Sequence, residues 1–64
     1  MSEEKLLQIL EQAVAGDAEA KDIFVAFMQK DGLSEKTLLK VTEFSEKGSD
    51  VAKEILDAYA KRDF

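Results

Sequence analysis

The chain contains the same unit twice. Residues 1–32 slide onto residues 33–64 without a gap, and 11 of the 32 positions are identical: Ser2/Ser34, Glu3/Glu35, Leu6/Leu38, Leu7/Leu39, Glu11/Glu43, Gly16/Gly48, Ala20/Ala52, Lys21/Lys53, Ile23/Ile55, Ala26/Ala58 and Asp31/Asp63. A unit of this length cannot bury its own apolar face; it needs a neighbour to stack on. The repeat therefore constrains the fold more than any other feature. It predicts one domain, residues 1–64, built from repeat 1 (1–32) and repeat 2 (33–64).

Each unit carries the signals of two helices. The first helix is expected from about Glu3 to Ala15, with Ser2 as N-cap, Glu3 and Glu4 at the positive end of the dipole, and Met1 and Leu6 at the spacing of a hydrophobic staple. Leu6, Ile9, Leu10 and Ala13 form one apolar stripe, and Leu7, Leu10 and Val14 form a second beside it. Gly16 ends this helix and Asp17 caps the next, expected from about Ala18 to Lys30. There Ala20, Ile23, Phe24 and Phe27 share a face while Val25 and Met28 lie off it, so this helix is expected to be central.

The second unit repeats the scheme. Ser34 caps a third helix with Leu38, Val41, Phe44 and Ser45 facing inward and Lys36, Lys40, Glu43 and Lys47 outward, Glu43 and Lys47 in favourable i,i+4 order. Gly48 stops it. A fourth helix begins after Ser49 or Asp50 and runs to about Arg62, with Val51, Ala52, Ile55, Leu56 and Tyr59 on one stripe and Lys61 and Arg62 at the negative end of the dipole. Phe64, beyond it, is expected as a frayed terminus or a lid over the bundle end. Short turns without proline make successive helices antiparallel. The expected fold is all-α: two tandem antiparallel helical hairpins, as a closed four-helix bundle or a short stack.

Positions where the copies differ carry information too. Val25 and Met28 correspond to Asp57 and Ala60, as if the end of repeat 2 met water; Leu10 and Val14 correspond to Thr42 and Glu46. The first helix is thus the more apolar of the pair. Leu7, Leu10 and Val14 need a cover, supplied by the fourth helix or by another chain.

Composition narrows the chemistry. The chain has no cysteine and no histidine, which removes disulfides, thiolate ligands and the commonest general base. Its net charge is -5, of which -4 lies in residues 1–32, so no basic footprint for nucleic acid is expected. The longest apolar run, Ile23 to Met28, is too short to span a bilayer, and the acidic MSEEKLL start is unlike a secretory signal. A cytoplasmic protein without membrane contact is expected. Placing Gly32 at the sixth position of a calcium loop leaves Asp31 as its one suitable ligand, so Asp31-Gly32 is read as a helix-ending turn. Glu3 with Glu4, and Glu54 with Asp57, are read as solvated charges rather than catalytic pairs. No catalytic residue, metal or cofactor is expected.

AGDAEAKDIFVAFM and KGSDVAKEILDAYA resemble the tetratricopeptide superfamily, in particular its SEL-like branch. Gly16-Asp17, Ala20 and Phe24 fit that pattern in one copy, and Gly48, Ala52 and Leu56 in the other. Val25 and Asp57 stand where the family has a glycine, and Met28 and Ala60 where it has an aromatic residue. The resemblance implies a protein-binding scaffold that uses the first helix of each hairpin and performs no catalysis.

The expected function is a non-enzymatic protein–protein interaction module, with Leu7, Leu10 and Val14 as apolar contact and Lys36, Lys40 and Glu43 as polar rim. Its partner is another protein or a second copy, giving a monomer or a homodimer. Two alternatives stand beside it. One is a designed helical protein without a natural partner, suggested by dense caps and short loops. The other is a small acidic regulator that blocks a basic surface.

Overall fold

A computed structural model describes residues 2–62. Within it lie four helices: α1 (Glu3–Val14), α2 (Ala18–Asp31), α3 (Glu35–Glu46) and α4 (Asp50–Ala60). The expected Met1 staple, the Asp31/Asp63 match and the place of Phe64 fall outside the described residues.

The caps repeat with the sequence. Ser2 accepts from the Lys5 N–H and Ser34 from the Thr37 N–H, so α1 and α3 begin at equivalent residues. Asp17 and Ser49 likewise accept from the N–H groups of Ala20 and Ala52 and open α2 and α4. The two intra-hairpin turns share one construction. Gly16 has φ of 114° and donates to the Ala13 carbonyl, while the Asp17 N–H reaches back to the Gln12 carbonyl at 3.1 Å. Gly48 and Ser49 do the same with Ser45 and Phe44. This is the Schellman arrangement, and its left-handed residue is the one a Cβ would strain. Asp17 and Ser49 each close one helix through the backbone and open the next through the side chain.

α1 packs on α2 and α3 on α4, forming the hairpins; α1 also packs on α3, and α2 on α4. The helices thus stand in a ring ordered α1, α2, α4, α3, and α1 touches α4 across the centre. This is the neighbour set of two hairpins stacked in two layers; α2 and α3, which would be adjacent in a simple up-and-down bundle, do not pack on each other. Like helices run side by side in the same direction. Ser34, the α3 cap, hydrogen-bonds Glu3 at the start of α1; Lys21 near the start of α2 pairs with Glu54 near the start of α4; and Arg62 after α4 donates to the Gln29 carbonyl near the end of α2.

The core holds Leu6, Leu10, Phe24, Met28, Val41, Ala52 and Ile55. Apart from Ala20 and Ala52, the two copies do not bury equivalent positions. In α1 the buried residues are Leu6, Leu10 and Ala13, but in α3 they are Thr37 and Val41, whose mates in α1 are Lys5 and Ile9. In α2 they are Ala20, Phe24 and Met28; in α4, Ala52 and Ile55. The mate of Ile55 is Ile23, which is 43% exposed. Burial slips back by a residue between copies because the face that repeat 1 turns to repeat 2 is a different face from the one repeat 2 returns.

This corrects three sequence expectations. Ile23 was expected inside with Ala20 and Phe24 and instead lies outside. α2 packs on α1 and α4, with Met28 buried, Val25 half-buried and Ala26 exposed, but it is α1, not α2, that touches all three other helices and sits centrally. In α3, Thr37 takes a core place while Leu38, Phe44 and Ser45 stay half-buried. Its hydroxyl stands 3.0 Å from that of Ser34, so the buried polar group is satisfied by the cap.

Candidate interaction surface

With Thr37 and Val41 pointing inward, the 3.6-residue period of α3 turns Lys36, Leu39, Lys40 and Glu43 outward. Leu39 is 58% exposed, the most exposed large hydrophobic residue among those described. Lys36 precedes it by three positions and Glu43 follows by four, so both flank it on the helix surface. Lys40 Nζ lies 3.5 Å from Glu43 Oε2. The expected Glu43–Lys47 pair does not form; Lys47 turns instead over the Phe44 ring, 5.8 Å from its centroid. The three rim residues Lys36, Lys40 and Glu43 thus lie exposed on one face.

On α1, the three residues expected as apolar contact part company. Leu10 is completely buried and belongs to the core, where α2, α3 and α4 converge on α1. Leu7 and Val14 are half-buried against the same core. The cover that the sequence demanded for this stripe is therefore supplied inside the chain for Leu10 and only in part for Leu7 and Val14.

Leu39 was missed by the sequence reading although its signal was present. It is identical to Leu7, and Leu7 had been placed on an apolar stripe. The slip of burial between copies leaves the same residue half-covered in α1 and open in α3. Ile23 and Ile55 show the reverse relation.

The acidic pairs have ordinary partners. Glu54 pairs with Lys21, and Asp57 with Lys61 at 3.0 Å. An open groove between α2 and α4 is lined by Gln29, Glu54, Asp57, Ala58, Lys61 and Arg62. A second, at the foot of α1 and α3, includes Glu3, Leu6, Phe27, Ser34 and Thr37. Among the described residues no group of three or more acidic residues is placed to hold a metal ion, and no helix is long and apolar enough to cross a membrane. Comparison with family models, curated proteins and solved structures finds no match to this chain.

Proposed function

We propose that the chain is a non-enzymatic protein–protein interaction module whose contact face is the layer formed by α1 and α3. The observation that carries this reading is the exposure of Leu39 inside a frame of Lys36, Lys40 and Glu43. An exposed apolar side chain rimmed by charge is the usual composition of a contact centre, with the apolar group supplying burial and the rim supplying orientation. Leu7 and Val14 on the neighbouring helix widen the apolar part; Leu10, being core, is excluded from it. The side-by-side hairpins support the scaffold role that the tetratricopeptide resemblance implies.

The test is cross-linking through Lys36 and Lys40 in a lysate of cells that produce the protein, followed by mass spectrometry. One partner should be linked at both lysines by the parent chain and be lost with Leu39→Asp, a substitution at an exposed position that leaves helicity unchanged. Links that persist at full yield in Leu39→Asp would overturn the assignment of this face.

A further inference from the structure

The interface between the two repeats is heterologous: repeat 1 presents one face and repeat 2 a different one. In any such arrangement each element keeps, unused, the face its mate employs. Repeat 1 therefore exposes at one end of the molecule the counterpart of the surface that repeat 2 buries, and repeat 2 exposes at the other end the counterpart of the surface that repeat 1 buries.

The residues at these ends retain the chemistry of the internal interface. Val41 and Ile55, fully buried in repeat 2, correspond to Ile9, half-buried, and Ile23, 43% exposed, in repeat 1. Leu6 and Phe24, buried in repeat 1, correspond to Leu38 and Leu56, both half-buried, in repeat 2. Leu7 is half-buried, while its mate Leu39, with no third repeat beside it, is 58% exposed.

The polar contacts repeat as well. Lys21 and Glu54 pair across the interface; their mates are Lys53 and Asp22, which keep both charges, are exposed, and have no ion-pair partner among the described residues. Ser34 hydrogen-bonds Glu3; their mates Ser2 and Glu35 are identical and exposed. Arg62 donates to the Gln29 carbonyl; its mate Lys30 is again a cation, exposed near the end of α2. Three of the matching positions weaken the copy without reversing it: Leu10 becomes Thr42, Ala13 becomes Ser45 and Met28 becomes Ala60. Lys5 stands where repeat 2 has the buried Thr37, on a stem long enough to keep its ammonium in water, and the half-buried Val14, Val25 and Val51 correspond to the charged Glu46, Asp57 and Glu19, which stay at the rim of the contact.

We infer that a second copy of this chain docks head to tail, the repeat 2 end of one molecule receiving the repeat 1 end of the next and reproducing the internal interface with Lys53 against Asp22, Glu35 against Ser2, and Leu38, Leu39 and Leu56 against Ile9 and Ile23. A heterologous contact does not saturate at two chains. It continues as a ring or a filament according to whether the rotation between copies closes. This contact shares Leu39 with the partner-binding face proposed above, but its decisive positions, Asp22, Ile23, Lys53 and Ala60, lie on α2 and α4, so the two readings fail separately.

The test is sedimentation equilibrium from low micromolar to near millimolar protein, on the parent chain and two variants. Ile23→Asp blocks the repeat 1 end, and Ala60→Glu blocks the repeat 2 end; both positions are exposed, and unchanged far-ultraviolet circular dichroism checks that each variant folds. The parent's average mass should rise past two chains. Each variant alone should be a monomer, and an equimolar mixture should reach two chains and stop, because one free end of each kind remains. A second pair serves the same logic without touching apolar surface: Asp22→Lys and Lys53→Glu should each weaken assembly, and the double variant should restore it. A parent monomeric throughout the range overturns the inference. So does a parent that stops at two chains, or a pair of blocked variants that fail to combine.

Discussion

Ile23 and Ile55 are identical residues at matching positions of the two 32-residue halves, yet Ile55 is completely buried and Ile23 is 43% exposed. The difference lies in what stands beside each helix. Ile55 lies in the core shared with repeat 1, whereas Ile23 lies on a side of α2 that no other helix covers.

Truncating the two should therefore separate them in stability. Ile55→Ala removes methyl groups from a filled core and should cost about 2–4 kcal/mol, whereas Ile23→Ala should cost less than about 1 kcal/mol. Denaturant unfolding of the two variants at concentrations where the chain is monomeric measures the contrast.

Ser2 and Ser34 are also repeat mates, both capping a helix, and their removal should differ for another reason. Ser2→Ala loses a cap, about 1 kcal/mol. Ser34→Ala loses a cap and also strips the hydroxyl of Thr37, fully buried, of its partner at 3.0 Å. An orphaned buried hydroxyl adds about 1–3 kcal/mol, so Ser34→Ala should be the more destabilising in thermal or denaturant melts.

The ion pair of Lys21 with Glu54 crosses between repeats at the surface, where its side chains are 33% and 60% exposed. A double-mutant cycle through Lys21→Ala and Glu54→Ala should return a coupling below about 1 kcal/mol, shrinking as salt is added. A larger, salt-insensitive coupling would show that the pair is shielded from solvent in a way its exposure does not suggest.

Gly16 sits at φ of 114° with nothing within 4 Å of the position a Cβ would take. Gly16→Ala should therefore destabilise through backbone strain alone, by about 1 kcal/mol or somewhat more. For a domain of this size that is a fall of roughly 4–8 °C in Tm per kcal/mol. The equivalent change at Gly48, whose φ is 98° with the same open surroundings, should give a similar fall, since the turns are built alike.

Local structure was legible in the sequence because its causes are local. Ser2, Asp17 and Ser34 were identified as caps from their position before an apolar period, and Gly16 and Gly48 as helix ends; each does that work in the fold. Ala52 and Ile55 were placed correctly on the core stripe of α4. What escaped were the properties that depend on how one repeat meets the other. Ile23 looked like a core residue because its own helix gave it apolar neighbours at the right spacing, and nothing in that spacing says which side of α2 stays uncovered. Thr37 was not among the residues placed on the inward face of α3, and its burial is accommodated by the Ser34 hydroxyl beside it. Leu39 was overlooked while Leu7 was chosen, since identity between copies suggests equal exposure and the asymmetric stacking denies it.

The three-residue turns between α1 and α2 and between α3 and α4 leave no slack, because Asp17 and Ser49 each finish one helix while starting the next. An extra residue there would pull these two duties apart and fray both helices. The joint between the repeats is organised otherwise: Gly32 closes α2, Ser34 opens α3, and Leu33 between them has neither task. An added residue should therefore cost less at 32–34, where it need only leave Leu33 packed against the core, than at 15–17 or 47–49.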